Sequence, residues 1–300
     1  MTVVNKTIVL GIQENYKVPA SVLIKSILEN NPNINFDIFI LSDMDLFSDF
    51  SHFVSPCCRI HAKVININEI KNVDCGRFNI ATLYRLLMDR YLPNDIGKVL
   101  YLDSDIVVNG SLDELFDIVL TGEQLVAAVE CSISREHVKQ LGMKENKIFN
   151  AGVILFDFKR CCEENIFEKT REYVVKHNTS FNDQDALNVV LEGRVKYIDA
   201  SWNYEFFRAK RDLILNKVDA VNKKIIHFTG KNKPWDYGDI NPYSYLYSKY
   251  YRSLYAQDVI VGSYSYGDKI KKKVKLFCYR NYIISACYMI VQYIFRTRTQ

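Results

Sequence analysis

The apolar positions of this chain fall into short unbroken runs separated by segments of helical spacing. Residues 7–11 (TIVLG) form such a run, bounded by a polar turn at 13–15, and predict a buried strand. A helix follows over about 19–29, with Pro32 marking its exit. Further strands are predicted at 35–41 (NFDIFIL), 63–67 (KVINI), the first half of 98–108 (KVLYLDSDIVV), 124–129, 151–156 and 195–198. Residues 80–91 (IATLYRLLMDRY) carry apolar residues at helical spacing and end before Pro93. Continuous apolar strands alternating with helical segments imply βαβ units and a mostly parallel sheet covered on both faces, an α/β fold.

The composition is that of a soluble globular protein, with 48% hydrophobic and 25% charged residues, and its 300 residues leave ample chain for a core. The net charge of +4 is an average over two unlike parts. Residues 268–300 hold eight Lys and Arg against Asp268 alone, a balance of +7, which leaves −3 for residues 1–267. A mildly acidic body excludes nucleic acid as its natural partner, and the basic, aromatic tail points to an anionic surface, with membrane lipid the first candidate. The eight cysteines contain no C-x-x-C and read as free thiols of a reducing compartment. The N-terminal apolar run is too short for a signal peptide and serves better as the first strand.

Within 98–108, Asp103 and Asp105 stand two residues apart where an apolar strand ends. Ligands of open α/β sheets bind beyond that edge, and an Asp-x-Asp pair there suits a hard cation shared with phosphate oxygens, although it also suits a simple turn cap. There is no G-x-G, no G-K-[ST], no H-E-x-x-H and no G-x-S-x-G, so bound phosphate would need a metal and basic side chains. His227 follows an apolar stretch and precedes Gly230 and Lys233. Gly230 allows close backbone approach, and Lys233 offers a point charge. One imidazole added to two carboxylates makes an O/N site suited to Mn²⁺. Asn150 opens the strand at 151–156, and the polar run 182–185 (NDQD) precedes a helix at 186–191 that needs one of its members as a cap.

The ordered motifs F-N-I-A-T-L-Y-R-L-L (78–87), K-V-L-Y-L-D-S-D-I-V-V (98–108), F-N-A-G-V-I-L-F (149–156), N-D-Q-D-A-L-N (182–188) and H-F-T-G-K-N-K-P-W (227–235) resemble glycosyltransferase family 8, above all its bacterial lipopolysaccharide and lipooligosaccharide galactosyl- and glucosyltransferases. The resemblance covers roughly residues 7–238. It implies a GT-A fold, an α/β/α nucleotide-sugar domain, and retaining transfer of galactose or glucose from a UDP-sugar to a glycan or glycolipid hydroxyl. By the same resemblance Asp103, Asp105 and His227 would bind Mn²⁺, or Mg²⁺ in its place. Gly11, Gln13, Asn15, Arg85, Asp103, Ser104, Glu130, Asn150, Ala151, Gly230 and Lys233 would surround the donor, with Asp183, Gln184 and Asp105 at the reacting centre. Two positions depart from the family. Gln13 stands where similar galactosyltransferases carry an Asp on uracil, and Glu130 where an Asp is frequent.

The expected division is a catalytic domain over 1–247 and a helical extension over 248–300, with the basic tail 268–300 on the membrane. Residues 276–295 are as long as a bilayer span, but Arg280, Asn281, Ser285 and Gln292 interrupt them. Asn281, Ser285 and Gln292 share one helical stripe, which favours an amphipathic helix in the interface over a span. The expected location is therefore cytoplasmic, peripheral on the inner face of the cytoplasmic membrane. Two other readings use the same residues: a haloacid-dehalogenase-like phosphatase built on Asp103 and Asp105, and a non-catalytic nucleotide-sugar-binding protein. The first expects its motif near the N-terminus, and the second leaves the combination of Asp103, Asp105, Asp183, Gln184 and His227 without a use.

Overall fold

The computed structural model describes residues 5–70, 73, 79–131, 135–177, 179–231, 233–259 and 265–280. Ten strands are present among them: β1 Lys6–Gly11, β2 Phe36–Ser42, β3 Cys58–Val64, β4 Lys98–Leu102, β5 Ile106–Val108, β6 Val126–Glu130, β7 Phe149–Asp157, β8 Val195–Ile198, β9 Tyr204–Glu205 and β10 Ile225–His227. Seven form one sheet in the order β3-β2-β1-β4-β7-β6-β8, and β5-β10-β9 form a second. In the large sheet β7 runs antiparallel to β4 and β6, while the other neighbours are parallel. The sheet is thus mostly parallel, as the alternation of strands and helices predicts.

Alternate residues of each central strand feed opposite cores. Ile8, Leu10, Ile38, Ile40, Leu100 and Leu102 face one layer with Ala20, Leu23, Ile24 and Ile27 of the helix Lys17–Asn30. Val9, Phe39, Leu41, Val99 and Tyr101 face the other, with Leu83, Leu86, Ala186 and Leu187. Two covered faces explain the unbroken apolar runs, and each such fully buried aliphatic side chain contributes about 1.5–3 kcal/mol of transfer free energy.

Three local expectations need correction. The strand expected at 63–67 lies earlier, at β3, and Ile67–Glu69 forms a 3₁₀ turn. Among the described strands β3 pairs only with β2, and it alternates polar and apolar residues, with Arg59 and His61 bonded to Asp37 of β2, so no continuous apolar run marks it. The helix expected over 80–91 is 3₁₀ over Ile80–Leu87 and turns α-helical only at Met88–Tyr91. Its tighter winding aligns Thr82 with Arg85, whose Nε donates to the Thr82 carbonyl at 2.8 Å. The strand expected over the first half of 98–108 is β4, which ends at Leu102, and Ile106–Val108 pairs with β10 in the second sheet. The polar run 182–185 does not precede its helix but forms the first turn of the helix Asn182–Val190. No side chain caps that helix at its start. Asp185 instead turns back to accept from the Phe181 N–H.

The helix Ser244–Tyr255 runs across the boundary expected at 247 and buries Tyr247 and Tyr250 with Val22, Val107 and Phe228. The last described helix, Tyr266–Arg280, lays Leu276 and Tyr279 against Leu213 and Ile240. Among the described residues no helix is long and apolar enough to cross a membrane. The stripe of Asn281, Ser285 and Gln292 lies outside the described residues. The six described cysteines are free thiols, and burial raises those of Cys58, Cys131, Cys161 and Cys162.

Candidate active site

The break between β4 and β5 makes the site. Asp103, Ser104 and Asp105 are the three residues that carry the chain from one sheet to the other, at the carboxyl edge of β4. The Asp103 N–H donates to the Gly152 carbonyl of β7, and the Asp105 carbonyl accepts from Phe228, just after β10. The antiparallel register of β10 on β5 sets His227 opposite Ile106. An imidazole 124 positions along the chain from Asp103 is thereby brought to both carboxylates. His227 Nε2 lies 3.2 Å from Asp105 Oδ1 and 3.7 Å from Asp103 Oδ2, and one ligand atom from each of the three residues falls within 4.8 Å of the others.

Gly152 closes the back of this group. A Cβ at that position would stand 2.2 Å from His227 Cε1 and 2.7 Å from Asp103 Oδ2, so no other residue fits without displacing them. Lys233 Nζ pairs with Asp105 Oδ2 at 2.5 Å and donates to the Phe228 carbonyl. Burial alone would raise the Asp105 carboxyl, but the charges of Lys233 and His227 outweigh it and hold it well below the usual carboxylate range. Burial likewise opposes the charged forms of His227 and Lys233, yet Asp105 raises both.

Arg85 links this group to the helix Asn182–Val190. It is 2% exposed, its guanidinium lies over the Tyr101 ring, and it pairs with Asp103 Oδ1 at 2.9 Å and Asp183 Oδ2 at 3.0 Å. A third donation goes to the Ala151 carbonyl. The Asp183 carboxyl, fully enclosed, is pushed up to about 6 by burial, against the pull of Arg85 and with the nearby charge of Asp103 adding to the rise. Asn182, just before it, adopts a left-handed φ of 32°, a conformation that Asn tolerates better than most residues. Gln184 Oε1 accepts from the Ala151 N–H and from Asn150 Nδ2, each at 3.2 Å.

The remaining expected residues line the rim or stand apart. Gly11 ends β1, and a Cβ there would meet the Ala81 carbonyl and Tyr84 at 3.1 Å. Ser104 is buried between its two aspartates. Gln13 is half-buried and Asn15 exposed in the turn after β1, and no hydrogen bond ties either to the aspartates among the described residues. Gly230 has a φ of 97°, which a side chain would resist. Glu130 ends β6 exposed, outside the Arg85–Asp183 group. Four residues of the site escaped the sequence reading: Gly152, Tyr101, whose hydroxyl donates to Asp103 Oδ1 at 3.2 Å, Asn203, which bonds His227, and Tyr16, set beside Asp105 and Lys233 and edge-on to Trp235. Gly152 and Tyr101 lie inside quoted motifs, whereas no local signal marks Asn203.

The family model described as glycosyl transferase family 8 matches residues 7–239. The chain belongs to that family. A Haemophilus influenzae protein bearing a glycosyltransferase name is 32% identical over 239 residues, 74% of this chain and 71% of that one. The lipopolysaccharide 1,2-glucosyltransferase of Escherichia coli is 27% identical, over 77% of this chain and 73% of its own length. Among solved structures, the galactosyltransferase LgtC with donor and acceptor sugar analogues superposes at a TM-score of 0.72 and 22% identity, covering 88% of this chain and 99% of LgtC. The bifunctional WbbM reaches 0.66 at 25% identity, and this chain spans half its length. The family 8 protein described here therefore has the GT-A fold and is a glycosyltransferase.

Proposed function

We propose that this family 8 protein is a retaining hexosyltransferase, Mn²⁺-dependent, that moves galactose or glucose from a UDP-sugar to a hydroxyl of a lipid-linked or cell-surface glycan. The observation that carries this reading is the convergence of Asp103, Asp105 and His227 within 4.8 Å, with Lys233 on Asp105 and Arg85 joining Asp103 to Asp183. Two carboxylates and one imidazole fit Mn²⁺, with Mg²⁺ the weaker match to a nitrogen ligand. The relatives named as lipopolysaccharide glucosyl- and galactosyltransferases support the hexose and the acceptor class.

Bound there, the cation would supply Lewis-acid stabilisation of the charge left on the departing diphosphate. Lys233 adds a fixed positive charge at the same place, and the Gly230 backbone lets the phosphates approach closely. Arg85 and Asp183 hold the donor sugar, and Asn150 and Gln184 border it. The Gln184 oxygen already accepts from two N–H groups, which lowers its nucleophilicity. That favours attack by the acceptor hydroxyl on the leaving group's own face, without a covalent intermediate. The acceptor would meet the segments 131–147 and 200–222, and Arg208 Nη2 of the second donates at 2.9 Å to the carbonyl of Glu130, which precedes the first.

For the C-terminal helix we infer an interfacial role on the inner face of the cytoplasmic membrane, within an extension taken as 248–300. Tyr266, Ile270, Val274 and Phe277 form an exposed apolar stripe on the face away from Leu213 and Ile240, flanked by the exposed Lys269, Lys271 and Lys273. An apolar stripe edged with lysines is the pattern of a helix lying in an anionic interface.

Titration with UDP, GDP, ADP and Mn²⁺, followed by slow hydrolysis assays on a panel of UDP-sugars, tests the enzyme reading. Mn²⁺-dependent binding of UDP and hydrolysis of UDP-galactose or UDP-glucose are expected. Absence of Mn²⁺-dependent UDP binding would overturn it.

A further inference from the structure

His227 presents two nitrogens, and only a lone pair facing Asp103 and Asp105 can ligate a cation held between them. Nε2 faces the carboxylates, while Nδ1 lies 2.9 Å from Asn203 Oδ1. Asn203 is wholly buried at the entry to β9, with its N–H bonded to the Ala200 carbonyl at 3.1 Å. Its Nδ2 donates to Asn150 Oδ1 at 2.9 Å, and the Gly152 N–H donates to that same oxygen at 3.0 Å. The polarity of this line is not free. A backbone N–H only donates, so the group that Gly152 meets must be the Asn150 oxygen. The Asn150 nitrogen then points to Gln184 Oε1, whose identity as an oxygen is fixed independently by the Ala151 N–H. Facing an oxygen on Asn150, Asn203 must turn its NH₂ there and its own oxygen to His227. The imidazole must therefore donate from Nδ1.

We propose that Asn203 is a positioning residue, the link through which two backbone N–H groups of β7 hold neutral His227 as the Nδ1–H tautomer and leave the Nε2 lone pair facing Asp103 and Asp105. That Nδ1 carries a proton follows from the hydrogen bonds alone, while a neutral ring with its Nε2 lone pair free, and the use of that lone pair, rest on the reading that these residues bind a divalent cation. The same line orients Gln184, so one polar chain sets both the imidazole and the amide that borders the donor. A ligating His that donates its other N–H to a fixed acceptor is a more basic ligand, and loss of such an acceptor weakens cation binding by about 10–100-fold.

The test is made on the full chain without activity as its readout. Long-range ¹⁵N–¹H spectra of ¹⁵N-histidine-labelled protein are recorded at alkaline pH, where imidazole is neutral. The signal is assigned among the five histidines by its loss in His227→Gln. Wild type is expected to show Nδ1–H, and an Nε2–H signal overturns the proposal whatever the protein binds. Asn203→Leu removes the acceptor at similar volume. It is expected to lose the Nδ1–H preference and to raise the Kd for Mn²⁺ by about 10–100-fold, measured by electron paramagnetic resonance titration. An unchanged tautomer in that variant overturns the proposal. Asn203→Asp keeps an acceptor for Nδ1, so it is expected to retain the tautomer and to bind Mn²⁺ far more tightly than the Leu variant. Should the Leu variant not fold, wild type and Asn203→Asp still decide, since loss of Nδ1–H in the Asp variant overturns the relay. Wild type holding Nδ1–H while binding neither Mn²⁺ nor Mg²⁺ supports the relay and overturns the metal reading alone.

Discussion

In the site beyond β4 charge is buried and paired, whereas on the helix Tyr266–Arg280 it stands in solvent. Arg85, Asp105 and Lys233 meet oppositely charged partners at 2.5–3.0 Å inside the protein. Lys271, 82% exposed, has a loose 3.8 Å approach to Asp268. The two arrangements obey different electrostatics. Buried pairs act at short range and are little affected by salt, while exposed charges act through solvent and fade within a Debye length of about 8–10 Å. The two sets of charge therefore differ in reach: beyond β4 each is held by a fixed partner, whereas on the helix they face solvent.

The largest expected effect tests the site's half of this contrast. Asp105→Ala removes a carboxylate of the cation group and leaves Lys233 and His227 facing each other without it. Mn²⁺-dependent hydrolysis of the UDP-sugar is expected to fall about a thousandfold, the rate equivalent of the several kcal/mol that a bound metal supplies. Sedimentation with anionic vesicles should not change. If the variant also lost vesicle binding, the two regions would not be independent.

Gly152→Ala is the next largest. The new methyl would stand 2.2 Å from His227 Cε1, so the imidazole or Asp103 must move. A loss of about a hundredfold in kcat/KM is expected, comparable with a 1 Å misplacement of a reacting group. The cost in stability, read from urea denaturation, is expected at about 1–3 kcal/mol. Retention of wild-type Mn²⁺ affinity would show that the back of the site is softer than its packing implies.

Gly152 also marks how far the site was legible from the sequence. Asp103 and Asp105 stood out because an apolar run ends on them, and His227 because it follows one. What joins them did not stand out, since it depends on register between distant strands. The three residues after Leu102 change sheets, and that step is set by pairing with β10 rather than by any residue within 98–108. β3 was misplaced for a related reason: an edge strand bonded to one neighbour shows alternation where the buried strands show a run. Arg85 sat within a recognised motif, but its 3₁₀ setting reflects a side chain folded onto Thr82, which helical periodicity does not encode. Asn203 was invisible because a buried amide differs from a turn Asn only through its partners.

The helix side of the contrast is tested by Lys269, Lys271 and Lys273 replaced together with Ser. Each lysine near an anionic surface contributes about 1 kcal/mol, so binding to phosphatidylserine-containing vesicles at low salt is expected to weaken by about a hundredfold. Added salt should weaken wild-type binding but not its hydrolysis of soluble UDP-sugar. Vesicle binding that withstands both the substitutions and salt would remove these lysines from any membrane role. Val274→Ser with Phe277→Ser removes apolar surface without changing charge, and a milder loss than that of the lysine variant is expected.

The smallest effect lies in pH dependence, where one group of the site departs from its neighbour. Asp183 is pushed up to about 6, while Asp105 is held well below the usual range. Between pH 6 and 5 Asp183 therefore gains a proton and Asp105 does not. Protonation removes the charge that Asp183 presents to Arg85, so kcat/KM for UDP-sugar hydrolysis is expected to fall about tenfold per pH unit below 6. Stability moves the other way. A carboxyl whose folded-state value lies above its unfolded one makes the folded protein bind protons more readily, so its contribution grows as pH falls through about 6 and is lost as pH rises. Asp105 has the opposite sign, and its contribution is lost from about pH 5 downward, where the unfolded carboxyl takes up its proton and the folded one does not. Activity and melting temperature measured across the same window should thus separate, with the acid limb appearing while the fold holds, and Asp183→Asn should abolish that limb. A limb near pH 4, or a melting temperature that falls in step with activity, would show that the buried pair of Arg85 and Asp183 does not control the site.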